Sequence, residues 1–237
     1  ALAQTANPDG AFASFDRFLA QLPTGVQLFS LLRANPSLLR LVADIMGSAP
    51  RLAGILSRRR RVLDAVLDPR VIGNLPTAEE LDALIWEELQ TAADFQEVLD
   101  RARVIGNEQM FLIGVRILSG IIVASQAGGA YALLADHLIR ALPQAVEQDC
   151  ARVHGPVPGG QAAVVAMGKL GGREMTAASD LDLILVYDFA PDARESDGPR
   201  PLPPSQYDAR LTQRLISALS SPTAEGKLYD VDMRLRP

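Results

Sequence analysis

Cysteine is nearly missing from this 237-residue sequence: Cys150 stands alone. One thiol builds neither a disulfide nor a cysteine-based zinc cluster within the chain, and such usage fits a reducing, cytoplasmic setting. Histidine is almost as scarce. His137 and His154 are the only two, and neither has a second histidine or a cysteine at ligand spacing. Aromatics make up 5% of residues; the single tryptophan, Trp86, sits beside an apolar helical stripe and is expected to pack. Positive charge is not in excess. A net charge of −5 is the opposite of what a broad nucleic-acid surface needs, so no nucleic-acid partner is expected. Long apolar runs are lacking too. The most apolar stretch, residues 111–123, contains Arg116 and falls short of the ~20 residues that cross a bilayer, which predicts a buried helix and no membrane partner. The N-terminus has no charged start followed by an apolar block, and the first residue is not Met, so the chain is expected to be a piece of a longer protein.

What is present is aliphatic and helical. Hydrophobic residues make up 48% and charged residues 22%, the balance of a globular protein with ample length for a core. In "RANPSLLRLVADIMG", Asn35 reads as an N-cap and Pro36 as the first helical residue. Leu38, Leu41, Val42 and Ile45 then form a stripe that Gly47 is expected to end. "PTAEELDALIWEELQ" places Thr77 and Glu80 at capping-box spacing ahead of Leu81, Leu84, Ile85 and Leu89. Two further helical segments follow, with a turn expected at Gly128 and Gly129. No strand is expected before residue 160.

The character changes at "HGPVPGGQ", residues 154–161. "AAVVAM" and "LDLILVYD" read as short strands, residues 207–219 as a helix, and "KLYDVDMRLRP" as a strand. Alternation in that last segment puts Leu228, Asp230, Asp232, Arg234 and Arg236 on one face. The expected organisation is a helical domain over residues 1–155 and an α/β core with a small mixed sheet over residues 156–237.

The chemistry concentrates in "AMGKLGGREMTAASDLDLILVYD", residues 166–188. Asp180 and Asp182 stand two apart at a strand start, so both carboxylates point to one face. Neighbouring carboxylates repel unless a cation is shared between them, and Mg2+, a hard ion that takes carboxylates together with phosphate oxygens, is the natural one. The glycines after the first strand let backbone approach a polyphosphate with no Cβ in the way, and Lys169 adds a point charge. Neither G-x-x-x-x-G-K-[ST] nor G-x-G-x-x-G is present.

Gly168, Lys169 and the run Ser179-Asp180-Leu181-Asp182 resemble the signature of the polymerase-β-like nucleotidyltransferase superfamily. More closely, "GKLGGREMTAASDLDLILVYD", "EGKLYDVDMRLRP" and the upstream "LLRANPSLLRLVADIMGSAPRLAGILSRRRRVLDAVLDP" are similar to the glutamine synthetase adenylyltransferase / adenylyl-removing enzyme family. Members of that family join two nucleotidyltransferase domains, and the helical segment resembles what precedes the C-terminal, AMP-adding one. The match to the family's motifs stops at Pro237, where members continue into more helices. The resemblance implies transfer of AMP from ATP to a tyrosine of glutamine synthetase. It implies Asp180, Asp182 and Asp232 as catalytic and Mg2+-holding residues, and Gly168, Lys169 and Ser179 as the seat of the triphosphate. A PII-type signal protein is a further expected partner. Phosphorolytic removal of AMP fits the same core, and a non-catalytic regulatory module is a third alternative, against which the intact carboxylate set argues. Asp230 shares a face with Asp232, and the resemblance favours Asp232.

The four arginines Arg58 to Arg61 are expected to be a solvated face or a helix end complemented by cations. Cys150 is expected to be a small core residue.

Overall fold

The computed structural model describes residues 1–5, 7–20, 25–59, 61–66 and 73–235. The helices come first: α1 (Pro8–Ala20), α2 (Gly25–Ala34), α3 (Pro36–Ser48), α4 (Pro50–Arg58), α5 (Arg61–Val66), α6 (Ala78–Gln90), α7 (Phe95–Leu118) and α8 (Ala124–His154). Strand β1 (Gln161–Ala166), the short helix α9 (Gly168–Gly171), β2 (Leu181–Asp188), α10 (Pro204–Ser220) and β3 (Val231–Leu235) follow. The three strands form one mixed sheet in the order β1-β2-β3, antiparallel and then parallel. No helix among the described residues is long and apolar enough to cross a membrane.

The chain forms two compact units, and these do not follow the change from helix to strand. The first comprises residues 1–75, 107–131 and 176–178; the second comprises 76–106, 132–175 and 179–237. In the first unit, Pro36 opens α3 at its first helical position, with Asn35 before it, and Leu38, Val42, Ile45 and Met46 are buried. Helix α3 runs through Gly47 to Ser48 instead of stopping at the glycine, and Ala49 closes it by donating its N–H to the Ile45 carbonyl at 3.1 Å. Arg58, in the last turn of α4, is exposed, whereas Arg59 is buried and lies 3.7 Å from Glu108. Arg60 and the Arg61 side chain are outside the described residues, as are Arg236 and the Arg234 side chain. Arg116 is buried in α7 and donates to the Asn74 carbonyl at 2.6 Å. The expected turn at Gly128 and Gly129 lies instead inside α8. The chain turns earlier, at Gly120, whose φ is +70°.

In the second unit, the capping box of α6 is formed: the Thr77 N–H donates to Glu80 Oε2 at 2.9 Å and the Glu80 N–H to Thr77 Oγ1 at 3.2 Å. Leu81, Ile85 and Leu89 are buried below it, while Trp86 is 46% exposed and not packed as expected. It falls one position past Ile85, outside the i, i+4 stripe that faces inward. Helix α8 buries Leu134, Leu138, Leu142 and Val146 at helical spacing, and Cys150 is buried about one turn before its end. One face of β2 is closed, with Leu181, Leu183 and Leu185 at most 2% exposed. Leu185 and Val164 line the same small gap as Leu211 and Leu215 of α10 on that side. Each such leucine contributes roughly 2 kcal/mol of burial. Ahead of β3, Leu228 and Tyr229 are both buried, so the alternation expected from Leu228 onward begins only at Asp230. Leu228 fits because Gly106 of α7 leaves the space that a Cβ would fill.

Asp208 of α10 is 8% exposed and its Oδ2 has no hydrogen-bond partner among the described residues. Burial lifts its pKa to about 6. The folded value thus lies above the unfolded one of about 3.9, and the carboxyl favours folding only while protonated. That contribution is complete below about pH 4 and is lost as pH rises through 6. Burial is the only cause of the pKa shift, with no charge among the described residues offsetting it. Asp208→Asn is therefore expected to be more stable than the parent at pH 7.5, by at most on the order of 3 kcal/mol and with a higher melting temperature, and to match it at pH 4. Equal melting curves at pH 7.5 contradict this account.

Candidate functional site

Every residue of the site lies in the second unit. Gly168 opens α9 directly after β1 with a φ of +52°, a conformation that side chains rarely tolerate. A Cβ at this position also runs into the Asp182 carboxylate. The backbone thus favours glycine, and any side chain here would also have to displace the Asp182 carboxylate. The Met167 N–H donates to the Asp182 carbonyl at 2.9 Å, which ties the end of β1 to the aspartate. The turn closes on itself through Gly171 N–H to Met167 O at 2.9 Å, Gly172 N–H to Gly168 O at 3.0 Å and Glu174 N–H to Lys169 O at 2.9 Å. Buried Leu170 and Met175 hold it down, and the Lys169 side chain is exposed. Arg173, with a φ of 60°, anchors the far end through an ion pair of 2.6 Å to Asp136.

Asp182 is half-buried on β2 and pairs in parallel register with Asp232 of β3. Directly opposed residues share a sheet face, so these two carboxylates project to the same side. Asp180 is exposed, two residues earlier and just outside β2. Ser179 is buried in the turn before it. The Leu181 N–H donates to the Asp230 carbonyl at 2.8 Å, which sets the register from the first rung. The Asp230 side chain is exposed and forms an ion pair with Lys227. Beyond the acidic end, the same face continues with Ile184 and Val186 of β2 and Val165 of β1, of which Val165 and Val186 are exposed.

The structure therefore brings together Gly168, Asp182 and Asp232, with Asp180 and Lys169 at the margin, and places the Ser179 side chain inside. The donor set suits a hard cation: carboxylate oxygens from one sheet face, with a hydrogen in place of a side chain at Gly168. Among the described residues no three His, Cys, Asp or Glu side chains are gathered into a metal cage. Two contacts lay outside sequence reasoning. Nothing local joins Gly168 to the Asp182 carboxylate or Arg173 to Asp136, because each pairing is made by the fold.

The model of the glutamate-ammonia ligase adenylyltransferase family matches residues 39–237. A bifunctional glutamine synthetase adenylyltransferase/adenylyl-removing enzyme from Mesorhizobium japonicum is 54% identical over all 237 residues, which span 24% of its length. Enzymes with the same name from Brucella suis, 53% identical over the whole chain, and Rhizobium meliloti, 53% identical over 97% of it, are similarly related. The chain spans about a quarter of the length of these curated relatives.

Proposed function

The chain belongs to the glutamate-ammonia ligase adenylyltransferase family, and from that premise we propose that it forms the catalytic core of an enzyme moving AMP from ATP to a tyrosine hydroxyl of glutamine synthetase. The register of Asp182 against Asp232, with Gly168 on the Asp182 carboxylate, carries the reading. Residues 156–237 would form a polymerase-β-like nucleotidyltransferase core behind a helical domain of residues 1–155, in the C-terminal half of a cytoplasmic enzyme.

In the reaction, the phenol oxygen attacks the α-phosphorus of ATP, the bond from that phosphorus to the bridging oxygen breaks, and pyrophosphate leaves. A free phenol has a pKa of about 10 and is a poor nucleophile at neutral pH. The Asp232 carboxylate would accept its proton as attack begins. Asp180, Asp182 and Asp232 would hold Mg2+, which when bound supplies positive charge to the triphosphate and to the departing pyrophosphate. Lys169 would add its charge from the rim, and Gly168 and the turn at Ser179 would leave room for the phosphates. The names of the relatives carry both activities, so phosphorolytic removal of AMP is the second reading for the same groups. A PII-type signal protein would be the regulatory partner.

Asp182→Asn tests the reading. It is expected to lower AMP transfer about 10²-fold while leaving the melting temperature unchanged or slightly raised, because relieving carboxylate repulsion removes no packing. Unchanged turnover sinks the assignment.

A further inference from the structure

A cavity of about 540 Å³ opens in the second unit at the end of the sheet where β1 begins and β2 ends. Gly168 and Asp182 are at the other end, six strand residues away, or roughly 20 Å. Its walls include Glu147 of α8, Val157, Phe189, and Tyr207, Asp208 and Leu211 of α10. The volume far exceeds the ~30 Å³ that one water occupies and falls within the range of small-molecule pockets.

The lining is unusual in its charge. Two carboxyl groups, Glu147 and Asp208, face a largely apolar space, and among the described residues no Lys, Arg or His lines it. Asp208 is nine-tenths buried, and its Oδ2 is left without any hydrogen-bond donor among the described residues. Burial raises the pKa of both carboxyls, the mark of charge without compensation. The Oδ2 itself is shut away from the cavity, so what Asp208 presents to the space is a carboxyl whose charge no cation among the described lining residues offsets, with Gln148 and Gln161 further polar side chains in the walls. The complementary ligand is cationic. An ammonium group brings several N–H donors and a positive charge, and Phe189 and Tyr207 add aromatic surface to the same walls. A zwitterion fits worse, because its carboxylate would enter a space with two acids and no cation.

We propose that this cavity binds a small organic ammonium, a primary aliphatic amine with a short apolar body, held by Asp208 and Glu147. The site stands apart from the one at Asp182 and does not depend on its assignment. Leu211 lines this cavity and also the small gap lined by Val164 and Leu185 beneath the sheet, so a ligand seated here presses on the helix that supports β2.

The test titrates the protein at pH 7.5 with n-butylamine, with n-butanol as the same body lacking charge, and with 4-aminobutanoate as the zwitterion, following heat and melting temperature. Butylamine is expected to bind with a Kd on the order of millimolar, as suits so few atoms, and to raise the melting temperature. Butanol and 4-aminobutanoate should bind at least about tenfold more weakly. Asp208→Asn and Glu147→Gln, each made separately and each checked for a native melting transition, should weaken butylamine about tenfold or more. Three results overturn the proposal: equal binding of butylamine and butanol, no binding of butylamine at tens of millimolar, or full butylamine affinity in either folded variant.

Discussion

Asp232→Ala is expected to lower AMP transfer to glutamine synthetase by about 10³-fold or more at saturating Mg2+, and Asp230→Ala by at most about tenfold. Both residues lie on the polar face that leads into β3, but only Asp232 stands opposite Asp182 in the parallel register. Their Cα atoms are roughly 6.5 Å apart along the strand, too far for both to fill one ligand position. Asp230 is already engaged. Its carboxylate pairs with Lys227, and its carbonyl oxygen accepts the Leu181 N–H, a backbone bond that alanine preserves. On the proposed reading Asp232 would both hold the cation and take the phenol proton, which is why its removal is expected to cost so much. The opposite ranking would move the catalytic role to Asp230 and shift the acidic floor of the site by one strand repeat.

Arg103→Ala is expected to destabilise the protein by about 3–5 kcal/mol, a large fraction of the roughly 5–15 kcal/mol that holds a typical fold together. Arg103 is fully buried on α7. Its guanidinium donates to the carbonyls of Leu99 at 2.8 Å, Ala218 at 2.8 Å and Ser221 at 2.6 Å. Ala218 lies in the last turn of α10 and Ser221 just past it, where helix carbonyls lack intrahelical donors and the dipole favours a cation. Alanine leaves the Ala218 carbonyl buried without this donor and opens a cavity the size of a long side chain. Arg103→Lys should fall between, because an ammonium has no planar fork to span separate carbonyls. Urea unfolding followed by circular dichroism measures the difference. A loss under about 1 kcal/mol for Arg103→Ala would contradict the assigned role.

How far the sequence carried the structure depends on how local each feature is. Residues 181–188 read as a strand because Leu181 and the apolar, partly β-branched run from Leu183 to Tyr187 lie between turn signals, and β2 has those bounds. The capping box at Thr77 and Glu80 was equally legible, since its two partners are three residues apart. Gly128 and Gly129 misled because a glycine pair suggests a turn from composition alone, while the helix around them continues through Tyr131 and Ala132, which are buried. Trp86 misled for a similar reason, since an aromatic near a stripe is not on it. Alternation placed Asp182 and Asp232 each on a polar face of its own strand. It did not say that the two strands are neighbours, nor which residues stand opposite, because that register is closed by a connection through α10. Arg103 carried no signal at all. Its acceptors at Ala218 and Ser221 are more than a hundred residues away, beyond any local period. The orphaned oxygen of Asp208 is likewise a product of packing and not of pattern.

The most direct test of the proposed activity supplies the chain, alone and within a longer chain that continues past Pro237, with glutamine synthetase, Mg2+ and ATP labelled at the α-phosphate. The label should pass to a tyrosine of glutamine synthetase, with pyrophosphate released in equal amount, and the Asp182→Asn and Asp232→Ala forms should fail to pass it at a comparable rate. Label that stays in ATP with both lengths of chain, or that transfers equally well without Asp182 and Asp232, contradicts the account.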